Sequence, residues 1–187
     1  MDSRGLICTE CNTIQPPAKM NYFELFGMKP SFLVHGKELE RTFKELQKQL
    51  HPDNHFTSSE QAREFSHQQS QLVNDAYRTL RTPNLRAQYL LRMCGVPEIE
   101  NGASGASVPM EFLEEMLDRC DETLRSEDVE RLRQLRQECD SMTEQACQEA
   151  QRALDKKDME WLTRVAVRLN YYKRWDNALH ERDELHS

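Results

Sequence analysis

Apolar residues return at intervals of three and four along most of this chain. That period suits amphipathic helices and does not suit the two-residue alternation of strands. It is clearest in the second half. One series runs Val129, Leu132, Leu135, Cys139, Met142, Ala146, Ala150 and Ala153; another runs Leu162, Val165, Leu169, Tyr172 and Leu179. A third segment, from Met110 to about Leu124, precedes them. The breaks "RSED" and "DKKD" are too short to let neighbouring helices run parallel. The spacing therefore predicts a three-helix bundle with helices from Met110 to about Leu124, Val129 to about Leu154 and Met159 to about Leu185. No strand signal of any strength, internal repeat or low-complexity tract interrupts this all-α reading.

The first half is punctuated differently. Residues 1–19 lack periodicity and end in "QPPAK", whose prolines disfavour helix, so they read as an extension and linker. Asn21 with Glu24 makes a capping box for a short helix, "NYFELFG", closed by Gly27. A second helix is expected from about Lys37 to Leu50, with Leu39, Phe43, Leu46 and Leu50 on one stripe, and Pro52 stops it. Thr57 with Glu60, or Ser58 with Gln61, caps a longer third helix with Phe65, Gln69, Leu72, Val73, Ala76, Tyr77 and Leu80 facing inward. Thr82 and Pro83 open a fourth through Leu85, Tyr89 and Leu90. The stretch "GVPEIENGASGASVP" gathers Gly, Ser and Pro and marks the best boundary. The expected organisation is an extension at 1–19, a domain at 20–94, a linker at 95–109 and a bundle at 110–187.

Charge limits the partners. The 187 residues carry 25 Lys and Arg against 32 Asp and Glu, a net charge of -7, which argues against a binder that works by neutralising nucleic-acid phosphates. No apolar run approaches the roughly 20 residues of a membrane span. The start, "MDSRGLIC", resembles neither a signal peptide nor an Arg-rich transit peptide and reads as a mature or truncated end. Six cysteines at 8, 11, 94, 120, 139 and 147 lack the density of a secreted disulfide framework and fit a reducing compartment.

The stretch "KELQKQLHPDNHF" poses the functional question. Arg41, Lys44 and Lys48 share a helical face that runs into His51-Pro52-Asp53. As catalysis this is poor, because an Asp two residues away across a proline cannot readily fold back to orient the imidazole, and no nucleophile elbow, phosphate loop or His-x-x-x-His pair accompanies it. On its own the tripeptide reads as a helix stop followed by a turn. In context, a short helix, a basic second helix, this tripeptide and a third helix carrying "LVNDAYRTL" resemble, from Asn21 to Cys94, the J domain of DnaJ-class co-chaperones. The resemblance implies that His51, Pro52 and Asp53 contact a DnaK-class chaperone and stimulate its ATP hydrolysis at a site on that partner. The basic face agrees, since it could steer an acidic surface into contact; without the tripeptide it would read as a solvated helix face.

The remaining motifs narrow the resemblance. "CTECNTIQPP" before "NYFELFG", "LRTPNLRAQYLLRMCG", "PMEFLEEMLDRCDETL" and "RLNYYKRWDNAL" together resemble the HscB family, J-type co-chaperones of iron–sulfur cluster biogenesis. The resemblance implies that the bundle holds an IscU-type cluster scaffold through Leu113, Leu117, Asp118, Asp121 and Tyr171. Glu114 stands where the family often has an apolar residue, and Arg125 where an acidic one is common. Two stripes compete for the bundle core, Phe112 with Met116 and Leu113 with Leu117, and the sequence leaves open which faces in; Tyr171 and Tyr172 pose the same choice.

Cys8 and Cys11 supply half of a tetrahedral zinc site. They look like the second of two Cys pairs in the zinc module of eukaryotic members. No bound cofactor is expected, and zinc only if a second pair comes from outside this chain. The other four cysteines are expected to pack as small hydrophobes. The expectation is thus a non-catalytic adaptor for a chaperone and a scaffold, without nucleic acid or membrane, in the mitochondrial matrix and secondarily the cytoplasm. The rivals are a general J-domain co-chaperone for unfolded clients, which the lack of a Gly/Phe-rich segment and of zinc-knuckle repeats disfavours, and a hydrolase using His51 and Asp53.

Overall fold

A computed structural model describes residues 6, 14–16, 19–50, 60–96 and 108–185. Among them lie seven helices and no strand: α1 (Tyr22–Leu25), α2 (Gly36–Leu50), α3 (Glu60–Arg81), α4 (Pro83–Met93), α5 (Met110–Arg125), α6 (Val129–Lys156) and α7 (Met159–Leu185). They form two compact units, Met1–Thr82 and Pro83–Ser187.

In the first unit the expected capping box holds α1 at its start. The Glu24 amide donates to Asn21 Oδ1 and the Asn21 amide to Glu24 Oε2, both at 2.9 Å, and Gly27 follows with φ at 68°, where a side chain would be strained. Helices α2 and α3 pair antiparallel. Ser66 Oγ donates to the Leu50 carbonyl at 2.8 Å, Gln47 Nε2 to Asn74 Oδ1 at 2.6 Å, and the Phe43 and Tyr77 rings stack at 4.0 Å. As one partner's number falls the other's rises, which only opposed helices allow. Leu39, Leu46 and Leu50 face Val73, Ala76 and Leu80 in a buried seam. Phe43, Phe65, Leu72 and Tyr77, expected inside, are half-buried, since a 3.6-residue period places each at the edge of its stripe.

The first unit also recruits residues that periodicity overlooked. Leu6 and Ile14 are fully buried. The Gln15 amide donates to the Leu6 carbonyl at 2.9 Å, and buried Gln69 reaches across from α3 to donate to the carbonyls of Gln15 at 2.5 Å and Leu6 at 3.4 Å. A stretch read as linker thus contributes two side chains to the core. Gln69 is inward as expected, because its amide satisfies backbone acceptors that burial would otherwise leave without water.

In the second unit α5, α6 and α7 make the expected bundle, with starts at Met110, Val129 and Met159 where the punctuation put them. Asp128 caps α6, accepting from the Glu130 and Arg131 amides at 2.9 and 3.3 Å. Leu135, Cys139, Trp175 and Leu179 form its inner cluster, with Cys120 and Met142 packed against them. The Trp175 indole donates to Thr123 Oγ1 at 2.9 Å, and the Arg119 guanidinium lies 5.0 Å from its ring. Val129, expected inward, is 58% exposed, for as the first helical residue it has no preceding turn to cover it.

Helix α4 joins this unit by packing on α7 and α6. Its buried face is Arg86, Ala87, Leu90 and Leu91, with Leu85 and Tyr89 at the margin. Asn84 and Gln88 donate to Asn170 Oδ1 at 3.1 and 3.3 Å. Arg86 Nη2 lies 3.8 Å from Cys147 Sγ, and burial pulls its guanidinium below the usual arginine range. Sequence punctuation divides the chain at 95–109, whereas packing divides it at Thr82–Pro83, because α4 buries its apolar face against bundle helices.

The cysteines separate by environment. Cys139 and Cys147 are buried as expected, and burial pushes the Cys139 thiol up to about 12. Cys120 is half-buried, but Cys94 is exposed rather than packed, because it follows the last turn of α4.

Candidate functional site

Two surfaces carry the predicted residues, one on each unit. On α2, Arg41, Lys44 and Lys48 are all exposed and fall on one helical row, at spacings of three and four. Lys37, one turn earlier, extends the row; the same spacing in the sequence would have found it. Acidic neighbours temper this face. Lys44 Nζ sits 2.8 Å from Glu40, and Arg41 lies 4.0 Å from Glu45, all well exposed. The hydrogen bond with Lys44 holds the Glu40 carboxyl below its ordinary value and the Lys44 ammonium above its own. Solvent screening makes such pairs weak and readily exchanged for an acidic partner. His51, Pro52 and Asp53 lie outside the described residues, as do Cys8, Cys11, Thr57 and Ser58. The tripeptide's preceding residue is fixed: Leu50 is buried and its carbonyl is held by Ser66.

On the bundle the choice between stripes is decided. Met116 is 3% exposed, whereas Leu117 beside it is 69% exposed and Leu113 is half-buried. Met116 therefore fills the core and Leu117 faces out, while Phe112 and Leu113 are both half-buried. Tyr172 is 2% exposed and Tyr171 half-buried. The Phe112 ring meets both edge-on, at 5.8 Å from Tyr171 and 6.0 Å from Tyr172, which sets Tyr171 against the start of α5. Asp118 and Asp121 are exposed beside Leu117, and Leu124, 48% exposed, continues the apolar line two turns on. The predicted set thus gathers along the α5–α7 seam as an apolar strip with acidic neighbours. An isolated exposed leucine is ordinary; this one has company.

Two features of that seam were not read from the sequence. Arg174 of α7 lies over the Tyr171 ring at 5.2 Å, and Arg125 pairs with Asp121 at 2.9 Å. Both followed from helical spacing once the stripes were assigned. Between α5, α6 and α7 there is also a cavity of about 550 Å³, lined by Phe112, Met142, Trp161, Val165 and Tyr172 among others. Its arginines are already engaged, Arg164 by Glu160 at 2.6 Å and Arg168 by Glu149 at 2.7 Å. No group of three or more His, Cys, Asp and Glu among the described residues could hold a metal ion. No described helix is long and apolar enough to cross a membrane.

Comparison with known proteins finds one family in each half of the chain, the first running on into α4. Residues 21–89 match the DnaJ domain family, and residues 108–180 match the family described as the HSCB C-terminal oligomerisation domain. A co-chaperone protein HscB homolog of Vibrio cholerae is 38% identical over 135 residues, covering 72% of this chain and 67% of that protein. The homolog of Vibrio vulnificus is 44% identical over 97 residues, 52% of this chain, and the aligned part spans only 56% of that relative. The crystal structure of human co-chaperone protein HscB superposes with a TM-score of 0.81 at 24% identity, covering 95% of this chain and 90% of that one, a likeness of fold.

Proposed function

Because the chain belongs to the HscB family of co-chaperones, we propose that it is an adaptor in iron–sulfur cluster biogenesis that joins a DnaK-class chaperone to an IscU-type cluster scaffold. In this reading the first unit docks through Arg41, Lys44 and Lys48 together with His51, Pro52 and Asp53, and stimulates ATP hydrolysis by the chaperone. The bundle carries the scaffold on Leu113, Leu117, Asp118, Asp121 and Tyr171. The reaction belongs to the partner, and this chain supplies contacts only.

The observation that carries the reading is the orientation of Leu117, turned to solvent while its neighbour Met116 fills the core. Burying such an apolar side chain against a partner is favourable by about 1.5–3 kcal/mol, and a polar rim is what a small specific interface presents. A general co-chaperone for unfolded clients needs no such fixed strip. The test is a scaffold titration and a chaperone ATPase assay on one preparation. Both binding and stimulation are expected; absence of binding would remove the cargo half, and absence of stimulation the chaperone half.

Zinc is the cofactor question this reading leaves. Cys8 and Cys11 would fill two of four tetrahedral positions, and a lone thiolate pair holds zinc weakly. The purified 187-residue chain is expected to carry well under one zinc by elemental analysis; one tightly held zinc per chain would require further ligands. Residence in the mitochondrial matrix, with the cytoplasm as second choice, rests on the likeness of that Cys pair to eukaryotic members.

A further inference from the structure

We infer that Arg174 is a recognition residue for an acidic side chain on the scaffold partner, placed beside the apolar contact at Leu117; this rests on the reading of the α5–α7 seam as the scaffold-binding surface.

Three observations support it. First, Arg174 is exposed and forms no ion pair with any described carboxylate; its one ring contact is with Tyr171, at 5.2 Å. A guanidinium resting on an aromatic face loses part of its rotational freedom in advance and keeps its N–H edge turned outward for a bidentate carboxylate. Second, Asp121 pairs with Arg125 at 2.9 Å on its own helix and not with Arg174. Asp121 and Arg174 nevertheless share one neighbourhood: Cys120, whose thiol is pushed up mainly by burial, is raised further by Asp121 and lowered by Arg174. Third, the two sides of the seam differ in sign. On α5 Asp118 is exposed without a described cation, while on α7 Arg174, one turn from Tyr171, is exposed without a described carboxylate.

A partner lying across Leu117 and Tyr171 therefore meets a negative charge on one flank and a positive charge on the other. Apolar contact alone would leave its orientation loosely fixed. Opposed charges select one, by penalising the reversed pose. Arg174 is thus a specificity-determining residue, and Tyr171 acts both as an apolar contact and as the platform that orients it.

The test is calorimetric titration of the full chain with purified IscU-type scaffold at low and high salt, using Arg174→Glu, Arg174→Lys and Leu117→Ala. Arg174→Glu is expected to weaken binding by about tenfold or more at low salt, the loss shrinking at high salt. Arg174→Lys should lose less, because the charge stays and the fork goes. Leu117→Ala should weaken binding by a factor that salt does not change. Melting of both Arg174 variants should match the parent, since no ion pair is broken. Parent-like affinity of Arg174→Glu, with Leu117→Ala impaired, would overturn the role of Arg174 and leave the scaffold surface standing. Absence of binding by the parent protein would remove the scaffold surface and this inference with it.

Discussion

Replacing His51 with Gln is expected to abolish stimulation of a DnaK-class chaperone's ATPase while leaving helicity and melting nearly unchanged. The expectation follows from what surrounds the tripeptide. Helix α2 ends at Leu50, whose side chain is buried and whose carbonyl accepts from Ser66 on α3, so the segment that starts at His51 leaves a fixed point. The seam of the first unit is filled, among the described residues, by Leu39, Leu46, Val73, Ala76 and Leu80. A contact residue outside the core should give up its function without giving up the fold, since surface changes usually stay within about 0.5 kcal/mol. Circular dichroism, a thermal melt and the ATPase assay on the same protein check it. A large fall in melting temperature would make His51 structural, and full stimulation by the variant would end the chaperone-docking role of the tripeptide.

Leu117→Ala combined with Tyr171→Ala is expected to weaken scaffold binding by about a hundredfold, on the order of 2–3 kcal/mol, as loss of a central anchor pair does. Stimulation of the chaperone should persist, because Lys37, Arg41, Lys44 and Lys48 lie in the other unit. The two positions differ in what they cost the fold. Leu117 is 69% exposed and its truncation should leave melting unchanged, whereas half-buried Tyr171 gives up its edge contact with Phe112 and should lower melting by a few degrees. Met116→Ala is the contrasting control: burial predicts a loss of roughly 2–5 kcal/mol of stability with no direct effect on the surface. Unaltered affinity in a folded double variant would move the scaffold site elsewhere.

The helices were legible because their punctuation is local. Pro83 opens α4, while Asp128 caps α6 and Asn21 with Glu24 caps α1 through bonds within a few residues. The bundle core was legible where apolar residues repeat, yet Trp175 was passed over although it falls between Tyr172 and Leu179 at the same spacing. Its burial is decided across the bundle by Thr123, which accepts the indole proton. Residue type misled at Arg86, which sits inside against Cys147. Leu6 and Ile14 had no periodicity to announce them, since their place depends on Gln69, more than fifty residues away. On the candidate surface, α5 carries two apolar stripes of similar strength. Only packing within the bundle could tell inward Met116 from outward Leu117.

The adaptor role is tested most directly by capture of scaffold on an immobilised DnaK-class chaperone in the presence of ATP, with purified components. Adding the parent protein is expected to raise the amount of scaffold retained. Adding the Leu117→Ala/Tyr171→Ala variant should return retention to the level seen without any added protein, while the variant itself stays bound to the chaperone. Scaffold retention that does not change when the parent protein is added would contradict the account.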